Sequence, residues 1–128
     1  SADRYGCGNP QQLKQLEFGL KRSDSKEVFF GLIDAFERSR GRFERQQLAG
    51  SLLYSVDPEC LLSPYDVLRI IVPIYDKSIE EVPWYLVRRF GSEPVTVALG
   101  LLTAETSLEQ EKECIDTMHF WIRNYDGV

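Results

Sequence analysis

Histidine and methionine are nearly missing from this chain of 128 residues, which has one of each. Long apolar runs are missing as well. The most apolar run, Val67 to Tyr75, is interrupted by Arg69 and Pro73 and is far shorter than the ~20 residues that a membrane-spanning helix needs. The N-terminal sequence SADRYGCGNPQQ has no apolar core, so it does not resemble a signal peptide. We therefore expect neither a membrane segment nor membrane association.

Cysteine is also scarce. Cys7, Cys60 and Cys114 are widely spaced and form no Cys-x-x-Cys pair, which argues against a disulfide framework and against a zinc site. Cys60 and Cys114 lie among apolar residues, and we predict that both are small core side chains. A cytoplasmic location is the expectation, and a periplasmic location after removal of a signal stays open.

Basic residues are too few to predict a surface for nucleic acid. The chain has 15 Lys and Arg against 20 Asp and Glu, a net charge of −5, and an isoelectric point near 4.9. The first 64 residues are neutral overall, so the excess of negative charge falls in the second half. Proteins that bind nucleic acid usually present a basic face to the phosphates. The charge favours a basic protein as the partner.

Signatures of catalysis are missing too. The sequence contains no phosphate-binding loop, no Gly-x-Gly-x-x-Gly, no Gly-x-Ser-x-Gly and no His-Glu-x-x-His. We therefore expect that the protein is not an enzyme and that it needs no cofactor or metal ion.

What the chain does have is apolar residues at helical spacing, separated by capping signals. Helices are predicted to begin near residues 10, 25, 42, 64, 79, 93 and 108. The second helix has the clearest core face, with Phe29, Leu32, Ile33 and Phe36 at i, i+3, i+4 and i+7. The sixth helix is expected to turn inward Val95, Ala98, Leu99 and Leu102. The last helix, which is the longest, is expected to bury one stripe, formed by Leu108, Ile115, Met118, Ile122 and Tyr125.

Proline and serine set the boundaries of the middle helices. Ser63 and Pro64 predict a sharp start for the fourth helix, and Pro73 should kink or end it. A β-strand over residues 67–74 is the alternative, because this stretch is rich in β-branched residues. A Ser-x-x-Glu capping box at Ser78 and Glu81 predicts the start of the fifth helix.

These patterns predict an all-α fold of about seven short antiparallel helices. Residues 1–9 are expected to form a flexible N-terminal arm, and residues 10–128 a single helical domain. The stretch KSIEEVPWYLVRRFG, residues 77–91, followed by a second short helix, resembles a HEAT or armadillo repeat. The resemblance implies irregular HEAT-like stacking and protein binding on a concave helical face. An orthogonal helical bundle is the structural alternative.

Acidic and aromatic residues in the second half form the candidate binding surface. Glu105, Glu109, Glu113 and Asp116 are spaced to lie along one side of the last helix. Trp84 and Tyr85 lie off the apolar stripe of the fifth helix and could anchor a partner, or could pack against a neighbouring helix instead. The predicted partner-binding residues are Glu80, Glu81, Trp84, Tyr85, Glu105, Glu109, Glu113 and Asp116.

The function predicted from these features is a non-catalytic protein-protein interaction module. Its most specific form is an acidic antitoxin or immunity protein that occludes a basic partner. The alternative is a small helical enzyme or ligand-binding regulator that uses Asp116, His119 and an arginine from the cluster Arg38, Arg40, Arg42 and Arg45. Binding of nucleic acid by that arginine cluster ranks last, and whether the cluster binds another anion stays open.

Overall fold

A computed structural model describes residues 10–125. Within that range the chain forms seven α-helices: α1 (Pro10–Lys21), α2 (Ser25–Glu37), α3 (Phe43–Val56), α4 (Pro64–Ile71), α5 (Glu81–Phe90), α6 (Ser92–Glu105) and α7 (Glu109–Arg123). A 3-10 turn, Val72–Ile74, follows α4. The predicted arm at residues 1–9 lies outside the described residues, as do residues 126–128.

The predicted all-α class is confirmed, and each helix begins within two residues of its expected position. Residues 10–125 contain no β-strand, so the alternative strand over residues 67–74 is wrong. Ser63 accepts a hydrogen bond from the Asp66 backbone N–H at 3.1 Å and starts α4 as predicted. Pro73 ends the α-helix as expected, because its ring removes a backbone donor and the chain tightens into the 3-10 turn.

The capping box predicted at Ser78 is wrong. Both the backbone N–H and the hydroxyl of Ser78 donate to the Asp76 carboxylate, at 2.9 and 2.5 Å, so Ser78 belongs to a turn before α5. That turn delays the start of α5 to Glu81, whose carboxylate points towards α3 instead of closing a cap.

Apolar side chains from α2 to α7 form one continuous buried cluster. It includes all four predicted core residues of α2 and, from α6, the predicted inward residues Val95, Ala98, Leu99 and Leu102. Cys114 is buried in this core, as predicted, and Cys60 is half-buried at its edge. Leu108, by contrast, is not part of the α7 stripe. It lies in extended backbone just before the helix and is exposed.

Helix α3 makes a close contact with α5 and with the turn that precedes it, which together we call the α3–α5 contact. A Cβ atom at Gly50 would lie 2.9 Å from Ile79 Cγ2 and 3.5 Å from Val82 Cγ2, so only glycine fits there without a shift of its neighbours. Nearby, the buried Gln46 side chain donates to the Ile74 carbonyl at 2.9 Å and accepts from the Asp76 N–H at 2.6 Å. The Gln46 side-chain amide therefore fixes the backbone at two points, Ile74 and Asp76, in the segment that leads into α5.

The end of α3 is tied to α5 as well. Asp57 adopts the left-handed backbone region at φ 54°, where the helix stops before Pro58. Arg89 Nε donates to the Asp57 carboxylate at 2.8 Å, and the Arg89 guanidinium also donates to the Asp57 carbonyl. The Tyr85 hydroxyl donates to the Pro58 carbonyl at 2.7 Å. These bonds give hydrogen-bond donors to the backbone carbonyls of Asp57 and Pro58, which have no partner within the helix.

None of the helices in residues 10–125 has the length and apolar character needed to cross a membrane. The HEAT-like stacking of the helices stays a prediction.

Candidate functional site

The acidic face of α7, which we define as Glu109, Glu113 and Asp116, is present in the structure. These residues lie at i, i+4 and i+7 of one helix, and all three are exposed. Lys77 approaches Glu113 to 3.6 Å, but both side chains are about half exposed, so this pair adds little stability. The acidic face is therefore accessible to a partner.

Glu105 belongs to a different helix from the one predicted. It is the last residue of α6, because the chain leaves the helix at Thr106 before α7 begins. The Glu105 carboxylate accepts a hydrogen bond from the Tyr65 hydroxyl at 2.5 Å and is exposed. Glu105 and Glu109 therefore stand at the two ends of the turn between α6 and α7.

The predicted acids of α5 are less available. Glu80 precedes the helix and is half-buried. The Glu81 carboxylate accepts from Gln47 Nε2 at 3.0 Å and from Ser51 Oγ at 3.3 Å, while its Oε1 is buried without a hydrogen-bond partner. Burial raises the pKa of Glu81, and the neighbouring Glu80 charge raises it further. Glu81 therefore belongs to the contact between α3 and α5.

Of the two alternatives left open for Tyr85, packing within the protein is the one observed, because its ring is fully buried and its hydroxyl donates to the Pro58 carbonyl. Burial raises the pKa of this phenol. Trp84 is half-buried, and its indole N–H donates to the Trp121 carbonyl at 3.0 Å. Trp84 thus meets a neighbouring helix, as the alternative interpretation had it.

Trp84 is part of an aromatic cluster that also contains Tyr54, Trp121 and Tyr125. The centroid of the Trp84 ring lies 5.6 Å from the ring centroid of Tyr125, 6.1 Å from that of Tyr54 and 6.3 Å from that of Trp121. The Arg88 guanidinium covers the Tyr54 ring at 3.8 Å from its centroid. With the rings packed on one another and Arg88 against Tyr54, the cluster joins the ends of α3, α5 and α7.

Two exposed large apolar side chains lie on α6, where the sequence pattern predicted no site. Val97 is 57% exposed and Leu101 52%, on the side of α6 opposite its core residues. Helical spacing aligns them with four other exposed residues. We define the outer face of α6 as Glu93, Thr96, Val97, Gly100, Leu101 and Ala104. The signal in the sequence was the apolar pair at i and i+4 outside the predicted inward stripe.

Acidic residues flank this apolar surface along the chain. Residues 90–111 contain Glu93, Glu105, Glu109 and Glu111 and no Lys, Arg or His. Leu108, 58% exposed in the turn after α6, extends the apolar area towards Glu109. An apolar centre with a polar rim is the common anatomy of protein interfaces.

A groove of about 390 Å³ runs beside this turn, between α4 and the junction of α6 and α7. Its apolar lining includes Val72, Pro73 and Leu102, and Glu105 and Glu111 lie on its rim. Arg69 of α4 adds a basic group to the same rim. Like the outer face of α6, the groove has apolar surface next to acidic side chains.

The residues of the alternative, catalytic interpretation lie on different elements: Asp116 and His119 on α7, and the arginine cluster around the junction of α2 and α3. His119 is half-buried on α7, and burial together with Arg123 lowers its pKa, against the opposing effect of Asp116. Arg38 pairs with Asp34 at 2.9 Å on the surface of α2. Arg38 and Arg45 line an apolar groove between α2 and α3 that does not include His119. Within residues 10–125 no group of three or more His, Cys, Asp or Glu side chains could hold a metal ion.

The accessible acidic and apolar surfaces in the second half of the described residues include the outer face of α6, Leu108 and the acidic face of α7. Comparisons of the chain with descriptions of protein families, with curated proteins and with solved structures found no match.

Proposed function

We propose that this protein is a non-catalytic protein-binding module that docks a basic partner on its α6–α7 surface. The observation that carries the proposal is that α6 is apolar on two opposite sides: one side packs in the core, and the other exposes Val97 and Leu101. A helix with water on its outer side normally places polar residues there. Contiguous exposed apolar area of this kind is typical of interaction sites.

The acidic residues around the apolar area indicate that the partner's surface is basic. Glu93, Glu105 and Glu109 border the apolar area, and Glu113 and Asp116 continue the negative charge along α7. Opposite charges on a partner would steer the encounter and fix its orientation. Like charges on a wrong partner would disfavour binding, so the acids also supply specificity.

The most specific form of this proposal is an acidic antitoxin or immunity protein that occludes a basic partner. The net charge of −5 and its concentration in the second half of the chain support it. Co-expression with the protein that the adjacent reading frame encodes provides the test, and this form of the proposal expects that protein to be a basic toxin. Protection that is lost when Glu109 and Glu113 are changed to Lys would support this form. Unchanged protection by the reversed variant would contradict it.

The general proposal is tested by co-purification from the cells that produce the protein, at low and at high salt. We expect a partner that dissociates as the salt concentration rises. Leu101→Gln keeps a good helix former but removes an apolar contact, and we expect it to weaken this partner about tenfold or more, since a buried leucine contributes about 1.5–3 kcal/mol. Phe18→Gln is the matched control, because Phe18 is 63% exposed on α1, outside this surface. A partner that binds Leu101→Gln as tightly as the unchanged protein would contradict the proposal.

A further inference from the structure

The side chains on the outer face of α6 differ in size as well as in polarity, and their sizes give the face a shape. Thr96, Gly100 and Ala104 form one i, i+4 row of small side chains, and Val97, Leu101 and Glu105 form the neighbouring row of larger ones. A Cβ atom placed at Gly100 would meet nothing within 4 Å, so the low row is open to the outside. The row of small side chains therefore forms a shallow groove, which we call the furrow, and the row of larger side chains forms a ridge beside it.

A furrow and a ridge on an exposed helix match the packing surface of another helix. Helices associate when the i, i+4 ridge of one fits the groove between ridges of the other, with axes about 8–10 Å apart. Small residues in the groove permit that approach. An extended strand would find no open sheet edge here, because the backbone bonds of α6 are made within the helix.

The charges at the ends of this face define the partner helix further. Glu93 and Glu105 are twelve residues apart, about 18 Å along α6 at about 1.5 Å per residue. No Lys, Arg or His lies between residues 90 and 111, and the basic group that shares a groove rim with Glu105 is Arg69 of α4. A helix that lies along α6 would gain from Lys or Arg side chains at both ends of its apolar stripe.

We infer that the outer face of α6 binds a basic amphipathic helix of the partner, which places one ridge of apolar side chains in the furrow at Gly100. This inference rests on the proposed function and names the structural element that the α6–α7 surface recognises. A second copy of the chain is a poorer occupant. A two-fold interface brings identical patches together, so each α6 would set its own glutamates against those of its copy.

Gly100→Leu is the decisive variant. The introduced isobutyl side chain would fill the furrow from outside without touching the protein's own core, and leucine is a better helix former than glycine. The variant should therefore keep its fold and still lose the partner helix. Gly31→Leu is the matched control, because Gly31 is an exposed glycine inside α2 with nothing within 4 Å of its Cβ position.

The probe is a displayed library of helical peptides with a fixed leucine stripe, in which each flanking position can be Lys or Glu. We expect selection on the unchanged protein to enrich Lys at the flanks. Synthetic copies of the enriched peptides should shift the amide NMR signals of α6, bind Gly100→Leu about tenfold or more weakly, and bind Gly31→Leu unchanged. Absence of enrichment, enrichment of Glu, or equal binding to Gly100→Leu would each overturn the inference.

Two further results separate this inference from the proposed function. If Leu101→Gln weakens the co-purified partner but Gly100→Leu does not, the surface binds a protein and the helix assignment is wrong. If neither variant affects the partner, the proposed function fails as well. Sedimentation of the unchanged protein should show a monomer, and a dimer that Gly100→Leu dissociates would assign this face to a second copy and overturn the inference.

Discussion

Gly50 and Gly100 both lie inside helices, yet the structure uses them in opposite ways. At Gly50 a Cβ atom would come within 2.9 Å of Ile79, so the glycine lets α3 and α5 approach closely. At Gly100 a Cβ atom would meet nothing within 4 Å, so the glycine leaves a gap on the outer face of α6. The α3–α5 contact is thus a closed surface and the outer face of α6 an open one. Sequence shows a glycine in a helix in both cases, and only the neighbours distinguish them.

Gly50→Leu should produce the largest effect. The added side chain would overlap Ile79 and Val82, and overpacking of a filled core destabilises by about 3 kcal/mol when the neighbours cannot move away. The free energy of unfolding, measured with urea, is the observable. Gly31→Leu is the control with the same chemical change in open space. A Gly50→Leu protein as stable as the control would show that the α3–α5 contact is looser than described.

Gln46→Leu tests the polar part of the same closed contact. The substitution leaves the Ile74 carbonyl and the Asp76 N–H without the partner that the Gln46 amide supplies. An unpaired backbone group costs about 1–3 kcal/mol when buried, and because Ile74 and Asp76 are half-buried we expect a loss of about 2 kcal/mol for the two groups together. Gln47→Leu should cost less, because Gln47 is half-buried and its partners are side chains that remain partly solvated. Equal losses for the two variants would contradict a special role for Gln46.

Gly100→Leu should change stability in the opposite direction. In an exposed helix interior, replacing glycine with leucine stabilises by about 0.7 kcal/mol, since glycine loses more backbone freedom on folding. The urea midpoint should therefore rise, as it should for Gly31→Leu. A clear loss of stability would mean that the furrow on α6 is already covered by the protein itself.

The sequence was sufficient for the features that depend on local chemistry. The stripe of α2, the cap at Ser63 and the end of α4 at Pro73 each follow from spacing or from a missing backbone donor, and all are confirmed. The inward set of α6, from Val95 to Leu102, was predicted for the same reason. These features need no knowledge of which helices become neighbours.

The candidate site depended on tertiary contacts and was predicted only in part. Tyr85 lies off the apolar stripe of α5, but the chain around Pro58 covers it, and no local pattern predicts that contact. Glu81 turns to α3 because Gln47 and Ser51 offer donors there. Val97 and Leu101 are exposed although they are apolar. Apolar residues on a second side of a helix are expected both for a helix buried on two sides and for a helix with an exposed apolar face, so the sequence did not distinguish these two cases.

Glu81→Gln gives the smallest expected effect and tests how completely the α3–α5 contact is closed. Burial raises the pKa of Glu81 above its unfolded value of about 4.5, so the folded protein favours the neutral carboxyl. The stabilisation from that neutral form is complete below about pH 4.5 and is lost as the pH rises through the folded-state pKa. Glutamine stays neutral throughout. The variant should therefore be slightly more stable than the unchanged protein at about pH 8.

The measurement is the difference in unfolding free energy between Glu81→Gln and the unchanged protein from about pH 4 to about pH 8. We expect the difference to be near zero at the acid end and to grow with pH, reaching only a small value because the Glu81 side chain is only half-buried. Glu109→Gln is the control, because it makes the same chemical change at an exposed residue in the first turn of α7. If the two curves coincide, the Glu81 carboxylate is as well solvated as a surface acid, and the α3–α5 contact is open at that point.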